Sequence, residues 1–387
     1  MSPEPILETR NLTFEYPNKT VALRDVSLTI PEGKKTVLVG SNGSGKSTLF
    51  LHFNGILKPK SGEVLYGGRR VAHSAKSLAE LRTNISVVLQ NPDDQIFSTT
   101  VEEDVAFGPM NLSLPMEEVE RRVDDALYLV GLEGMRERST QQLSFGERKR
   151  VALAGALSMK PKVLIMDEPT AGLDSRMVHE LLELADELNQ SGLTVIMSTH
   201  DVEIAYSWAD EMRVLHQGRL EFSGSPEEFF HDEAKLHEIG LVPPMLFEMN
   251  QYLVRTRGEA ERPFPRTSAE MALKLFPGTR SSVGSGTIVS IGPKSDPKIR
   301  PAIVPSGKLD RVSVGVYGTR ARKLTRDWGD EIDYRFNAFE NSILGACEGR
   351  DFILYADERL VPMIESKLRR LEESFDLRIA RKHIELR

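Results

Sequence analysis

The stretch KTVLVGSNGSGKST (35–48) decides the fold. Its first half is a short apolar run that reads as a buried strand. Its second half, Gly40, Ser41, Asn42, Gly43, Ser44 and Gly45, is a glycine-rich loop, and a helix opens at Lys46, Ser47 and Thr48. Glycines in such a loop let backbone N–H groups approach phosphate oxygens closely, and the helix N-terminus favours their negative charge. Lys46 is then placed to reach the β- and γ-phosphates of a nucleotide, and the Ser47 hydroxyl to ligate Mg2+.

Working outward, VLIMDE (163–168) supplies a complement. Four apolar residues predict a buried strand, and two carboxylates at its carboxyl end would face a ligand at the sheet edge. Asp167 is the candidate for holding Mg2+ through water, and Glu168 for polarising the water that attacks the γ-phosphate. LSFGE (143–147) supports two readings at once. Ser144 followed three residues later by Glu147 is a capping box that starts the helix ERKRVALAGAL. The same N-terminus, with Ser144 and the Gly146 backbone, is also a second anion site, and nothing obliges it to meet the nucleotide of its own subunit. His200, after the run LTVIMST, is an ordinary loop residue or a γ-phosphate contact.

The surroundings suit an α/β domain. The runs KTVLVG (35–40), ISVVL (85–89), KVLIMDE (162–168), LTVIMSTH (193–200) and EMRVLHQG (211–218) read as strands, with helical patterns at 116–132 and 176–192. Such alternation predicts a largely parallel, buried sheet. The opening LETRNLTFEY and ALRDVSLTI alternate more strictly, which predicts an antiparallel subdomain. Residues 240–309, rich in Pro, Gly and Ser, read as an irregular connector with short helices near 244–256 and 267–276. A second β/α pattern follows, with strands at 311–319, 351–357 and 377–386 and helices near 337–348 and 359–374. The expected division is therefore 1–239, 240–309 and 310–387.

The 387 residues are comfortable for two domains, and a net charge of −7 gives no electrostatic footprint for nucleic acid. One cysteine, Cys347, excludes an internal disulfide framework and fits a reducing compartment. The N-terminus MSPEPILETR lacks a signal-peptide pattern, and no apolar run approaches the roughly 18 residues of a membrane span.

The order of these motifs resembles an ATP-binding cassette (ABC) ATPase over about residues 6–235: phosphate loop, glutamine loop, signature, acidic strand, AGLD (171–174) and His. QNPDDQIFSTTVEEDVAFGP (90–109), FLHFNGILKPKSGEV (50–64) and EPTAGLD (168–174) resemble, more narrowly, the ATPases of energy-coupling-factor importers of the cobalt/nickel type. The resemblance implies a P-loop NTPase core with an antiparallel β subdomain and a helical signature subdomain, beside a smaller C-terminal α/β domain. It implies that Tyr16 stacks on adenine, that Gln90 senses Mg2+ and the attacking water, and that His200 clamps the γ-phosphate. It implies that Asp174 communicates between subunits and that the glutamine-loop segment receives helices of a membrane subunit. The signature departs from the usual LSGGQ at Phe145 and Glu147, which adds negative charge where a triphosphate should dock.

These implications favour an ATP- and Mg2+-dependent ATPase at the cytoplasmic face of the membrane, with integral membrane partners, no nucleic acid, and a homodimer or heterodimer of cassettes. Cobalt or nickel is the first expectation for the cargo and a vitamin the alternative. A soluble ATP-dependent clamp of repair or translation is the reading from another class. Lys46 and Ser144 enclose no long insertion and the chain has a single motif set, and both features favour transport. In the C-terminal part, GVYGT (315–319) reads as a small-ligand turn or as ordinary turn chemistry. Cys347, Asp357, Glu358 and His383 lack metal-ligand spacing.

Overall fold

The computed structural model describes residues 5–275, 284–292, 295, 312–326, 332–375 and 378–386. It divides into two compact units, 1–178 with 192–243, and 179–191 with 244–387.

The first unit opens with β1 (Pro5–Glu15) and β2 (Val21–Pro31), which pair antiparallel. After β3 (Lys35–Val39) come β4 (Ser61–Tyr66) and β5 (Arg69–Arg70), giving a sheet of order β2-β1-β4-β5. The alternation in β2 is visible in its burial: Leu23, Val26, Leu28 and Ile30 point inward and Arg24, Asp25, Ser27 and Thr29 outward. One face of this antiparallel sheet is packed and the other wet, as expected.

The larger sheet joins β3 to β6 (Ile85–Val88), β7 (Val163–Met166), β8 (Thr194–Thr199), β9 (Glu211–His216) and β10 (Arg219–Gly224), in the order β10-β9-β3-β8-β7-β6. Strands β9, β3, β8, β7 and β6 run parallel, and β10 turns back antiparallel on β9. Every residue of β7 and β8 is buried, as continuous apolar runs in a sheet covered on both faces should be. Leu38, Leu49, Phe50, Phe53, Val163, Ile165 and Ile196 share one core with the inward face of β2.

Three helices, Val101–Met110, Met116–Val130 and Phe145–Ser158, form a helical layer between β6 and β7 in sequence. Capping boxes start the first and third, at Thr100/Glu103 and at Ser144/Glu147. Met116–Val130 buries Val119, Val123, Ala126, Leu127 and Val130, a spacing of three and four residues that puts one face inward.

In the second unit, β11 (Gly286–Ile291), β12 (Val312–Tyr317), β13 (Asp351–Asp357) and β14 (Arg381–Leu386) form a parallel sheet of order β12-β13-β11-β14. Helices Met245–Arg257 and Ser268–Leu275 occupy the stretch read as a connector, but so does β11, which the sequence reading missed. The composition of its Pro-, Gly- and Ser-rich neighbours masked a six-residue strand whose register is set by partners far along the chain. Within that stretch, residues 276–283, 293–294 and 296–309 lie outside the described residues.

Helices Ala338–Cys347 and Val361–Phe375 pack their apolar faces into one cluster with Ile288, Phe352 and Leu354. Residues 179–191, from helix Ser175–Gln190, belong to this unit. Their carboxylates meet its cations: Glu183 pairs with Arg322, and Asp186 lies 3.3 Å from Lys367. Among the described residues no helix is long and apolar enough to cross a membrane.

Candidate functional site

The strand order gathers the motifs. Neighbouring parallel strands lie about 4.8 Å apart, so β3-β8-β7-β6 sets four carboxyl ends in a row. The phosphate loop follows β3, His200 follows β8, Asp167 and Glu168 follow β7, and Gln90 follows β6.

Glu168 is the meeting point. Its Oε1 stands 3.4 Å from Lys46 Nζ, and its Oε2 stands 3.3 Å from His200 Nδ1 and accepts from Gln90 Nε2 at 3.3 Å. The Lys46 and Glu168 side chains are only 5% and 8% exposed, while that of His200 is 62% exposed. Glu168 also has φ +42°, a left-handed conformation uncommon outside glycine. The turn is held from behind, because the Glu168 N–H donates to Ser198 Oγ at 2.8 Å and Ser198 Oγ donates to Asp167 Oδ1 at 2.5 Å.

The phosphate loop is shaped by close approach. A Cβ on Gly40 would come within 2.3 Å of the Leu215 carbonyl, and one on Gly45, at φ +107°, within 2.7 Å of the Ala22 carbonyl. Lys46 Nζ donates to Gly40 O at 2.7 Å and Ser41 O at 3.3 Å, which holds the ammonium inside the curl of the loop. Ser44 Oγ is buried with no hydrogen-bond partner among the described residues, an orphaned polar atom inside this curl. Ser41, Asn42, Gly43 and Ser47 are exposed around it. Thr48 is buried, and its hydroxyl lies 3.0 Å from the Tyr16 hydroxyl, which ties Tyr16 to the helix that carries Lys46.

An exposed hydroxyl (Ser47), a carboxylate (Asp167) and an amide (Gln90) make an oxygen donor set of the kind Mg2+ accepts. Mg2+ commonly uses one or two protein carboxylates plus substrate phosphates. Among the described residues no group of three His, Cys, Asp or Glu is arranged to hold a metal by itself. The donors present therefore fit a cation that arrives with a polyphosphate.

Ser144 and Gly146 are engaged elsewhere. Ser144 Oγ accepts from the Glu147 N–H at 3.3 Å, and Glu147 Oε2 accepts from the Ser144 N–H at 2.7 Å. The Ser144 N–H holds the Glu147 carboxyl below its ordinary range, and Arg138 stands 3.7 Å away. The charge of Glu147 thus serves its own helix start. A Cβ on Gly146 would meet Met177 Cε at 2.3 Å, and one on Gly172 would meet the Phe145 ring at 2.9 Å, so the signature packs on the AGLD turn. Asp174 Oδ1 accepts from the Met177 N–H at 2.8 Å and caps the following helix.

Two neighbouring side chains were not singled out from the sequence. Arg148 forms an ion pair with Asp93 at 2.8 Å. Lys149, 8% exposed, donates to the carbonyls of Ala171 at 2.6 Å, Pro169 at 2.8 Å and Glu168 at 3.4 Å. Burial pushes its ammonium down to about 8. In ERKRVALAGAL these residues look like the solvated face of a capped helix, and only the packing separates them.

In the second unit, Asp357 at the end of β13 accepts from the N–H groups of Arg320 and Ala321 just after GVYGT. The chain's own carboxylate therefore fills the place a ligand anion would take. Cys347 packs against the hydrophobic core, and burial pushes its thiol up to about 11.

Residues 23–171 match the family model for ABC transporters. An energy-coupling factor transporter ATP-binding protein of Methanospirillum hungatei is 40% identical over 368 residues, 93% of this chain and 92% of that protein. A cobalt import ATP-binding protein of Rhodobacter capsulatus is 43% identical over 277 residues, 71% of this chain and 99% of that protein. Among solved structures, a subunit of an ABC transporter complex of Clostridium perfringens superposes with a TM-score of 0.55 at 43% identity, over 61% of this chain and 95% of that one.

Proposed function

Because the chain belongs to the energy-coupling factor transporter ATP-binding proteins of the ABC family, we propose that its ATP hydrolysis drives cobalt or nickel import through integral membrane subunits. It is an ATPase, and its role is to energise a membrane importer. The convergence of Lys46, Gln90 and His200 on Glu168 is the observation that carries the catalytic reading. The choice of metal ion over vitamin rests on the likeness to the cobalt import protein. The repair and translation reading has no support of comparable kind.

The row of strand ends supports the following chemistry. The loop Gly40–Gly45 and Lys46 bind the β- and γ-phosphates, and Tyr16 stacks on the adenine. Glu168 holds the attacking water and takes its proton, and His200 and Gln90 orient the γ-phosphate and that water. Ser47, Asp167 and Gln90 would hold Mg2+, which when bound draws charge from the phosphate oxygens. Ser144 and Gly146 face the nucleotide of a second copy, so two chains related by a two-fold axis enclose two ATP molecules. The segment QNPDDQIFS and the exposed Phe97, Phe107 and Met110 offer the surface for the membrane partner, at the cytoplasmic face. The C-terminal unit serves regulation or dimer stability and need not supply a catalytic group.

The test is reconstitution in vesicles with integral membrane subunits of an importer of this type. ATP-dependent uptake of cobalt or nickel, abolished by Glu168→Gln, is the expected result. Uptake of a vitamin and of neither metal would overturn the cargo while leaving the ATPase intact.

A further inference from the structure

Lys149 places one buried ammonium against three backbone carbonyls of the loop that follows β7. An ammonium has three protons and no acceptor, so Glu168, Pro169 and Ala171 match its full donor capacity. The Phe145 ring lies 5.3 Å from the same nitrogen and covers it on another side. A lysine removed from water in this way is tolerated only where its charge is met. Here the partners are main-chain dipoles, which ties the charge to the path of the backbone.

That backbone is the one that needs holding. Glu168 sits at φ +42°, and such conformations persist where the surroundings over-determine them. Its N–H is held by Ser198 of β8. Its carbonyl accepts from the Ala171 N–H at 3.2 Å within the turn, and from Lys149 across to helix Phe145–Ser158. The preceding residue of that helix, Arg148, reaches Asp93 in the glutamine loop. One helix thus grips the loop carrying Glu168 with one side chain and the docking segment with its neighbour.

We propose that Lys149 is a positioning residue for ATP hydrolysis: it fixes the backbone of Glu168–Ala171, and so aims the Glu168 carboxylate and makes that aim follow the signature helix. The inference rests on Glu168 acting as the base. It extends the site to a side chain that acts on Glu168 through the backbone carbonyls of its loop.

The experiment uses the full-length chain and measures both ATP affinity, by calorimetry, and steady-state hydrolysis. The variants are Lys149→Met, Lys149→Arg, Glu168→Gln and the double variant Lys149→Met/Glu168→Gln. Lys149→Met should lower kcat about tenfold or more, since small misplacements of a reacting group are that costly, while ATP affinity changes less than about threefold. Lys149→Arg, which keeps charge and donors, should recover part of the loss. The double variant should be no slower than Glu168→Gln alone, because both changes act through one group.

A kcat for Lys149→Met within about twofold of wild type would sink the proposal. So would a parallel loss of affinity, or losses that multiply in the double variant, since both mark a merely structural role. If the Met chain does not fold, Lys149→Gln takes its place, with kcat lowered at least about threefold at little-changed ATP affinity expected and a wild-type kcat overturning the idea. Glu168→Gln hydrolysing at the wild-type rate would instead overturn the base assignment, a separate and distinguishable failure.

Discussion

Lys46 Nζ lies 3.4 Å from Glu168 Oε1, and both side chains are almost wholly buried. The pair joins the end of β3 to the end of β7, with β8 between them. A charge left alone in such a place is costly, so each residue depends on the other and on its polar neighbours. Lys46→Ala should therefore abolish tight MgATP binding, and Tyr16→Ala should weaken it more modestly through lost stacking. Titration calorimetry showing equal affinity for wild type and Lys46→Ala would refute the phosphate-loop assignment.

Glu168→Gln keeps the shape of the carboxylate and removes the proposed base, which should slow hydrolysis by about 10²–10⁴. ATP would then persist and hold two chains together. The expected species in light scattering is an ATP-dependent dimer that is lost when Ser144 is also changed to Arg. A monomer with ATP demonstrably bound would contradict the two-fold arrangement.

Asp93 and Asp94 are adjacent, yet they do different things. Asp93 pairs with Arg148 at 2.8 Å, whereas Asp94 is an exposed residue of the same short turn. Asp94→Ala should impair transport with ATP turnover intact, as expected for a docking contact. Asp93→Ala should alter turnover as well, and Asp93→Arg with Arg148→Asp should restore it. Stability should change by less than about 1 kcal/mol in each, because the pair is partly exposed. Identical transport and turnover for the two alanine variants would show that the ion pair has no part in coupling.

Glu187 gives the second unit a pH dependence of defined sign. Burial first, and then the neighbouring Asp357, push its carboxyl up to about 7, and Thr319 Oγ1 donates to it at 3.4 Å. Between its ordinary range and 7 the folded chain binds more protons than the unfolded one, so stability falls as pH rises through that window. Glu187→Gln should flatten this slope and raise the melting temperature at pH 8. A slope between pH 5 and 7 that is the same in both chains would exclude Glu187 as its source.

A chain ending at residue 243 should keep its ATP affinity, because every motif of the site lies in the first unit. It loses the partners of residues 179–191, among them Arg322 and Lys367. The expected fragment is folded, binds ATP and melts several degrees lower. Complete loss of ATP binding in a soluble, folded fragment would show that the site is not modular.

The segments that carry the candidate site were legible because their signals are local. A glycine-rich loop between a strand and a helix, paired carboxylates after VLIM, and Ser144 three residues before Glu147 each need only a few neighbours to be read. The alternation in β2 and the apolar runs of β7 and β8 likewise report how their own faces are buried. Local pattern failed at β11, where flanking Gly, Pro and Ser outweighed a short run that only its partners β13 and β14 make a strand. It also failed at Arg148 and Lys149, two adjacent cations on a capped helix that composition cannot tell apart.

By itself, then, the order of residues made most strands, loops and helix starts of the first unit legible and suggested what each could bind. The tertiary structure alone decided that β8 lies between β3 and β7 with β6 beyond, so that Lys46, His200, Glu168 and Gln90 stand together. It alone sent Arg148 to Asp93 and Lys149 to the carbonyls of Glu168, Pro169 and Ala171. The reason is physical. Periodicity records whether a side chain faces the core, whereas strand neighbours and buried charge partners are chosen by packing among segments far apart in the chain.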